Sequence, residues 1–279
     1  MKHTDTNIIL SVKNLSYSYG EDRQALKNIS LNIRRGERIA VVGSNGAGKS
    51  TFFLNLNGVL TPEHGEIVFE GNAITKKNLL ELRKNVGIVF QDPDSQIIAS
   101  TVMAEISFGP MNMRLPQDEV ISKTLKAMEY MNITHLSSRP PHYLSGGEKK
   151  CVSIADIIAM TPQVFIFDEP TVGLDPVNVR MLEDVLDRLY NEGKTILLST
   201  HDVDLAYRWA DRTVVFNEGE VIADDTPENV FADDNVLKKA RLCRPSVYEI
   251  YGALREKGII RSKKCPRSVG ELKKLIDAI

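Results

Sequence analysis

The chain has 279 residues, 42% of them hydrophobic, which fits one large domain or a domain with a tail and supplies enough apolar side chains for a sizeable core. No apolar run exceeds four residues, against the roughly 20 that a membrane span needs, so any membrane role is expected to be peripheral. Thirty-five Lys plus Arg against 37 Asp plus Glu leave a net charge of -2, without the basic excess of a protein held mainly by nucleic-acid phosphates. The start, Met1-Lys2-His3-Thr4-Asp5, has no apolar h-region, so no secretory signal peptide is expected and the chain should stay in the cytoplasm. Cys151, Cys243 and Cys265 show neither paired CxxC spacing nor an even count, and read as free thiols.

In chain order, Ile8 to Val12, Leu15 to Tyr19 and Ile29 to Ile33 are predicted strands, and Arg34-Arg35-Gly36-Glu37 is a turn. Ile39-Ala40-Val41-Val42 is continuously apolar and ends in glycines, as a buried parallel strand would. A helix-like stretch, Thr51 to Asn57, closes at Gly58, and Val68 to Glu70 and Val86 to Phe90 are further strand candidates. From Pro93 to Met160 the pattern is mostly helical, with segments near 117 to 131 and 148 to 160 separated by Pro140-Pro141. Val164 to Phe167 and Thr195 to Ser199 are again short apolar strands, with a helix between them from about Pro176 to Glu192; this βαβ alternation implies a parallel sheet. Val214 to Phe216 and Val221-Ile222 flank a hairpin turn, and the tail from about Asp233 holds two amphipathic stretches, Val247 to Glu256 and Val269 to Ile279, around a basic linker Arg261-Ser262-Lys263-Lys264.

Residues 43 to 51, GSNGAGKST, satisfy Gly-x-x-x-x-Gly-Lys-Ser between an apolar strand and a helix. Glycines at 43, 46 and 48 let successive N–H groups point inward, and the helix N-terminus adds positive charge for phosphate oxygens. In that frame Lys49 reaches the β and γ phosphates and Ser50 ligates Mg2+; the alternative is a glycine-rich turn with an incidental lysine. Asp168 and Glu169 end a buried strand, where ligand sites of parallel sheets collect. Asp168 suits a magnesium shell and Glu169 a base that activates water, against the plainer reading of an acidic turn halted by Pro170. Leu144-Ser145-Gly146-Gly147-Glu148 has Ser-x-x-Glu spacing, which by itself is an ordinary helix capping box.

Taken together, these motifs resemble those of the nucleotide-binding subunits of ATP-binding cassette (ABC) transporters. Residues 43 to 51 resemble the Walker A loop, Gln91 in Phe90-Gln91-Asp92-Pro93 the Q-loop, 144 to 148 the signature and 164 to 169 the Walker B strand. Gly173-Leu174-Asp175-Pro176 resembles the D-loop and Ser199-Thr200-His201-Asp202 the switch histidine, so the resemblance runs from about residue 8 to 230. It implies an α/β P-loop NTPase fold with a RecA-like parallel-sheet core, an antiparallel β subdomain and a helical signature subdomain. The implied division is a nucleotide-binding domain over 1-232, with its helical insert at about 93-160, and a C-terminal helical extension over 233-279 that packs on its own domain or contacts a dimer partner.

The resemblance also implies ATP and Mg2+ as ligands. Adenine stacks on Tyr19, with Tyr17 as the rival, and Gly43, Ser44, Asn45, Gly46, Ala47, Gly48, Lys49, Ser50 and Thr51 cradle the phosphates. Ser50, Gln91 and Asp168 surround Mg2+, Gln91 also approaches the attacking water, Glu169 is the base, and His201 contacts the γ-phosphate. Two cassettes pair head to tail, so Ser145, Gly146, Gly147 and Asp175 face the nucleotide of a second ATP-binding subunit, a second copy or a paralogue. Glu148 stands where the family usually has Gln, and Cys151 where a basic residue is common; either change bears on turnover.

Phe90-Gln91-Asp92-Pro93-Asp94-Ser95-Gln96 is similar to the segment of energy-coupling-factor importers in which the second glutamine begins a short helix docking onto the transmembrane coupling subunit, here over Gln91 to Ser100. Phe52 to Gly58, Phe108 to Asn112, Arg139 to His142 and Ser199 to Leu205 resemble the CbiO family of cobalt-import ATP-binding proteins. The expected function is therefore ATP hydrolysis that powers cobalt or nickel import, on the cytoplasmic face of the membrane, with a separate solute-binding membrane subunit. Vitamin uptake is the alternative within the class. A soluble cassette ATPase acting on nucleic acid or ribosomes fits less well, because only 119 positions separate Lys49 from Asp168, leaving no space for a long coiled coil, and only one cassette is present. No nucleic-acid partner is expected. His201, Asp202 and Asp204 are not read as a transition-metal site, and Met103, Met111 and Met113 read as packing or docking residues.

Overall fold

The computed structural model describes residues 7–20, 23–262 and 264–278. The first residues, on which the signal-peptide expectation rests, lie outside them, as do Lys263 of the basic linker and Ile279 at the end of the last predicted helix.

The short apolar runs form the centre of the molecule. Strands β6 (Val86–Val89), β7 (Val164–Phe167), β8 (Thr195–Ser199) and β3 (Arg38–Val42) pair in parallel, and β3 also pairs in parallel with β9 (Arg212–Asn217). The antiparallel hairpin strand β10 (Glu220–Asp225) completes the order β10-β9-β3-β8-β7-β6. Strands covered on both faces have no polar side to alternate with, which is why these sequences read as continuous apolar runs. In β3, Ile39 and Val41 enter one core while Ala40 and Val42 enter the other.

The first core lies between this sheet and an antiparallel one, ordered β2-β1-β4-β5, made from β1 (Ile8–Ser18), β2 (Gln24–Arg34), β4 (His64–Phe69) and β5 (Asn72–Ala73). Two predicted strands, 8 to 12 and 15 to 19, are a single strand here. Asn14 takes a left-handed φ of 50° and the pairing shifts register between Val12 and Leu15, a bulge that interrupts the apolar alternation without ending the strand. Asn28 (φ 51°) hides the first half of β2 in the same way, so the strand begins at Gln24 rather than Ile29, and β4 begins at His64 rather than Val68.

Helix α1 (Lys49–Leu56) buries Phe52, Phe53 and Leu56 completely in this core, with Phe52 against Phe216 of β9 at 5.2 Å between ring centroids. Burial of each such side chain contributes roughly 1.5–3 kcal/mol, and it fixes the start of α1, where the glycine loop ends. On the other face stand α3 (Val102–Asn112), α4 (Gln117–Tyr130), α5 (Gly146–Met160), α6 (Pro176–Asn191) and α7 (Val203–Trp209). The sequence reading did not delimit α3 or α7, nor α2 (Leu79–Asn85), α8 (Pro227–Ala232) and α9 (Asp234–Ala240).

In the tail, α10 (Ser246–Glu256) and α11 (Val269–Asp277) send Val247, Tyr251 and Leu272 into the second core. The tail is also stapled to α7 by polar contacts. Ser246 donates N–H and Oγ–H to the Asp204 carboxylate at 2.7 and 3.0 Å, and the Arg267 guanidinium donates to the carbonyls of Tyr207 and Ala210. Ile250 and Val269 point outward from these helices. Among the described residues, no helix is long and apolar enough to cross a membrane.

Candidate functional site

At the end of β3 the chain turns at Gly43, whose φ is +145°; a Cβ there would stand 2.2 Å from the Phe216 carbonyl oxygen, so only glycine fits. Gly48, the N-cap of α1 at φ +107°, also lies against neighbouring backbone: a Cβ would meet Ala25 O at 2.7 Å. The loop between them is thus pinned by backbone on two sides, and among the described residues no side chain caps the N-terminus of α1. Such a cradle with a free helix N-terminus fits an anionic phosphate chain.

Lys49 is buried, and its Nζ donates to Gly43 O at 2.8 Å and Ser44 O at 3.3 Å. Its ammonium is 3.7 Å from Glu169 Oε1. Burial lowers the lysine pKa, opposed by the charges of Glu169 and Asp168.

Asp168 and Glu169 follow β7 directly and both are buried. Ser199, the last residue of β8, holds the pair: its Oγ–H donates to Asp168 Oδ1 at 2.6 Å, and its oxygen accepts the Glu169 N–H at 2.8 Å. The sequence reading quoted Ser199 in a motif without giving it a function; its one signal was a hydroxyl closing a strand that is otherwise buried and apolar. Glu169 has a left-handed φ of 45°, a strained position for a side chain of this size. His201 Nε2 lies 2.9 Å from Glu169 Oε1, so in this structure the histidine faces the carboxylate. Glu169 Oε1 is buried, yet among the described residues none gives it a well-aligned hydrogen bond, despite the two nitrogens nearby. Burial raises the Glu169 pKa, with Lys49 opposing; burial, followed by the positive charge of Lys49, lowers that of His201.

Lys49, Glu169 and His201 open onto one cavity of about 660 Å³, in the range of small-molecule sites, while Gly43, Ser44 and Asp168 lie behind its lining. Tyr19, Gln91, Glu169 and His201 line it, together with the predicted residues Asn45 to Thr51 of the loop. Tyr19 stands at its rim, half exposed, with its hydroxyl 3.4 Å from Thr51 Oγ1, and its ring meets that of Tyr17 edge-on at 5.0 Å. Tyr17 instead packs against the first core.

Ser145, Gly146, Gly147 and Asp175 lie outside this cavity. Ser145 caps α5 in a complete capping box: Glu148 N donates to its Oγ at 3.3 Å, while Ser145 N and Oγ donate to Glu148 Oε2 at 2.8 and 2.9 Å. Those bonds hold the Glu148 carboxyl below the usual range. Asp175 caps α6 through the N–H groups of Val177 and Asn178 at 2.9 Å each. The two caps are neighbours, since a Cβ on Gly147 would stand 2.8 Å from Asn178 Nδ2.

The segment Gln91–Ser100 departs from expectation at Gln96. That residue begins no helix; it ends a short 3-10 turn, Pro93–Ser95, and its side chain turns inward onto α5. Gln96 Nε2 donates to Ser153 O at 2.8 Å and Asp156 Oδ2 at 3.1 Å, and its Oε1 accepts from Phe90 N at 3.3 Å. These partners reward an inward amide, and Ile98, 72% exposed, is the residue presented outward.

Burial, with a smaller push from Glu105, moves the Asp156 carboxyl from its ordinary 3.8 to about 7. Between those values the unfolded chain has lost this proton while the folded chain keeps it, so this group's contribution makes stability fall as pH rises through the window and leaves it level above. Asp156→Asn keeps an acceptor for Gln96 without the charge. Its stability gain in urea unfolding is expected to be near zero at pH 4 and to grow to the order of 4 kcal/mol by pH 8. A gain independent of pH would contradict this.

Comparison with known proteins gives a consistent picture. The profile of the ABC transporter family matches residues 26–172. The energy-coupling factor transporter ATP-binding protein EcfA2 of Methanospirillum hungatei is 44% identical over 271 residues, covering 96% of this chain and 68% of its own length. Among solved structures, cbiO1 from Clostridium perfringens, described as part of the ABC transporter complex cbiONQ, has a TM-score of 0.74 and 42% identity over 90% of this chain and 99% of its own. The ATP-binding cassette MJ0796, solved as a dimer in a post-hydrolysis state with ADP and Pi, has a TM-score of 0.71 and 27% identity over 78% of this chain and 99% of its own.

Proposed function

The chain belongs to the ABC transporter family, among the ATP-binding subunits of energy-coupling factor transporters, and we propose that the solute whose import its ATP hydrolysis drives is a cobalt or nickel ion. One observation carries the assignment of the hydrolytic residues: Lys49 at the start of α1 and His201 just beyond β8 both approach the carboxylate of Glu169 just beyond β7, with Nζ at 3.7 Å and Nε2 at 2.9 Å.

In this reading ATP enters as substrate, with its phosphates on the Gly43–Thr51 cradle and its base against Tyr19. Lys49 leaves the carbonyls of Gly43 and Ser44 for phosphate oxygens, a stronger, charge-assisted pairing. Glu169, whose proton affinity burial has raised, takes the proton of the attacking water. His201 holds that carboxylate in place and lies within the cavity that takes the γ-phosphate. Mg2+, when bound, neutralises charge on the β and γ oxygens. Ser50, Gln91 and Asp168 would hold it; Asp168 fits because it commits Oδ1 to Ser199 and keeps a second carboxylate oxygen.

A second ATP-binding subunit, a further copy or a paralogue, completes the site with Ser145, Gly146, Gly147 and Asp175. Ser145 Oγ must then leave the Glu148 carboxylate, which ties the signature to its own cap in the free chain. The coupling subunit docks over Gln91 to Ser100, and a solute-binding membrane subunit joins through it, placing the chain peripherally on the cytoplasmic face. We retain 1-232 as the nucleotide-binding domain and 233-279 as its helical extension. Support for cobalt or nickel comes from the stretches at 52 to 58, 108 to 112, 139 to 142 and 199 to 205, which resemble the CbiO family.

A gentle-detergent pull-down of the tagged chain from its native membrane, with mass spectrometry and elemental analysis, tests this. Recovery of a coupling subunit and a metal-binding membrane subunit carrying Co or Ni is the expected result. A vitamin-binding subunit would replace the metal assignment with the vitamin one, and only soluble or nucleic-acid partners would overturn transport.

A further inference from the structure

Phe90 and Gln91 follow the last ladder residue of β6, and their main-chain groups find partners on α5. Lys150, 2% exposed, donates from Nζ to Gln91 O at 2.6 Å and Phe90 O at 3.0 Å. On the other side of the same residue, Phe90 N–H donates to Gln96 Oε1, and the Gln96 amide is anchored on α5 through Ser153 O and Asp156. Helix α5 therefore holds the Phe90 and Gln91 carbonyls directly through Lys150, and the Phe90 N–H indirectly through Gln96. The Gln91 side chain is exposed at the cavity wall, so its reach is set by where this main chain is held.

Keeping an ammonium here is unfavourable on its own: burial pushes the Lys150 pKa down to about 8, against the charges of Asp168 and Asp92. A neutral apolar residue would fill the space without that penalty but would leave two carbonyls unpartnered.

We propose that Lys150 is a positioning residue for Gln91: carried on the helix that presents Ser145, it fixes the Gln91 main chain and thereby the approach of the glutamine amide to the nucleotide cavity. The inference rests on the reading of Gln91 given above. Lys150 lies five residues after Ser145, about a turn and a half along a rigid helix. In a head-to-tail pair the end of α5 that meets the partner's nucleotide is then the same body that sets Gln91 in its own site. Seating of one site is passed to the other through this lysine.

The test uses the full-length chain with Lys150→Met, Lys150→Arg, Gln91→Ala and the double variant Lys150→Met/Gln91→Ala. Lys150→Met is expected to lower kcat about 10-fold, within the ~10²-fold that a 1 Å misplacement costs, with KM for ATP within about twofold. Lys150→Arg, which still offers charged donors, should recover most of the loss. The double variant should be no slower than Gln91→Ala alone, because both changes act through one group. Without nucleotide, amide hydrogen exchange across 88–97 should be faster in Lys150→Met while α4 is unchanged. Unchanged kcat, unchanged exchange, or a double variant showing the product of both losses would overturn the inference. Gln91→Ala with native kcat would overturn the reading of Gln91 and this inference with it; a slow Gln91→Ala beside a native Lys150→Met sinks only the lysine. Should Met at 150 prevent folding, Gln96→Met releases the same peptide from its other side and must act in the same direction.

Discussion

Glu169→Gln binds ATP as the native chain does, loses about 10² to 10⁴ in turnover, and accumulates as an ATP-bound dimer. Gln keeps the shape of the side chain and an oxygen for His201 Nε2, 2.9 Å away, but it cannot take a proton from water. The phosphate cradle between Gly43 and Gly48 is untouched, because it is built from backbone pinned against Phe216 and Ala25. Folding should not suffer either, since the substitution removes a carboxylate that burial disfavours and that sits at a left-handed φ the new residue shares. Binding by fluorescent nucleotide titration, phosphate release, and dimer fraction by gel filtration with ATP give three independent readouts. Near-native phosphate release would refute Glu169 as the base. The native enzyme should also lose activity on its acid side at a higher pH than an ordinary glutamate would dictate: with the Glu169 pKa raised, the ionised base is fully present only above that raised value and is lost as pH falls through it.

What the sequence made visible was local. β7 and β8 have the bounds read from the chain, because a strand buried on both faces is a continuous apolar run between polar turns. The cradle, Asp168-Glu169 and Ser145 to Glu148 were equally visible, each being a short motif whose parts are neighbours in the chain. The capping box read from Ser145 and Glu148 is present with both of its hydrogen bonds. The bulge at Asn14 and the left-handed Asn28 broke the alternation on which strand assignment depends. Helix α3 was blurred by Gly109 and Pro110 in its last turn; Thr101 does cap its start, but with the helix breakers so near its end the stretch offers little regular pattern. Helices α8 and α9 have six and seven residues, too few for a 3.6-residue period to declare itself.

In the site, the hidden connections all join distant segments. Ser199 reaches Asp168 across 31 positions and Lys150 reaches Gln91 across 59, and no spacing rule links such pairs. Gln96 misled for a related reason: the resemblance of 90 to 96 to a docking segment gave it the start of a helix, whereas its environment is set by Ser153 and Asp156, whose placement depends on how α5 packs.

Lys49→Ala should fail one step earlier than Glu169→Gln, at nucleotide binding. In the free chain the ammonium is held by Gly43 O and Ser44 O and stands 3.7 Å from Glu169, so it is already positioned at the mouth of the cradle and needs little ordering to reach a phosphate. Hydrogen bonds to charged groups contribute about 1.5–3 kcal/mol each, so losing one such contact weakens ATP binding on the order of 10- to 100-fold. The fold should tolerate the change, because burial already disfavours this ammonium and α1 is anchored by Phe52, Phe53 and Leu56 rather than by its first residue. Removing the cation also removes the charge that opposes the upward shift of Glu169, so its proton affinity rises further and the acid-side loss of residual turnover should move to higher pH. Lys49→Arg separates charge from shape: a guanidinium keeps the charge but is too broad for the two carbonyls of the loop, and it should restore binding only partly. Isothermal titration with Mg-ATP and with ADP distinguishes the outcomes. Loss confined to ATP points to the γ-phosphate, equal loss for both points to the β-phosphate, and native affinity for both would contradict the assignment of Lys49 to the cradle.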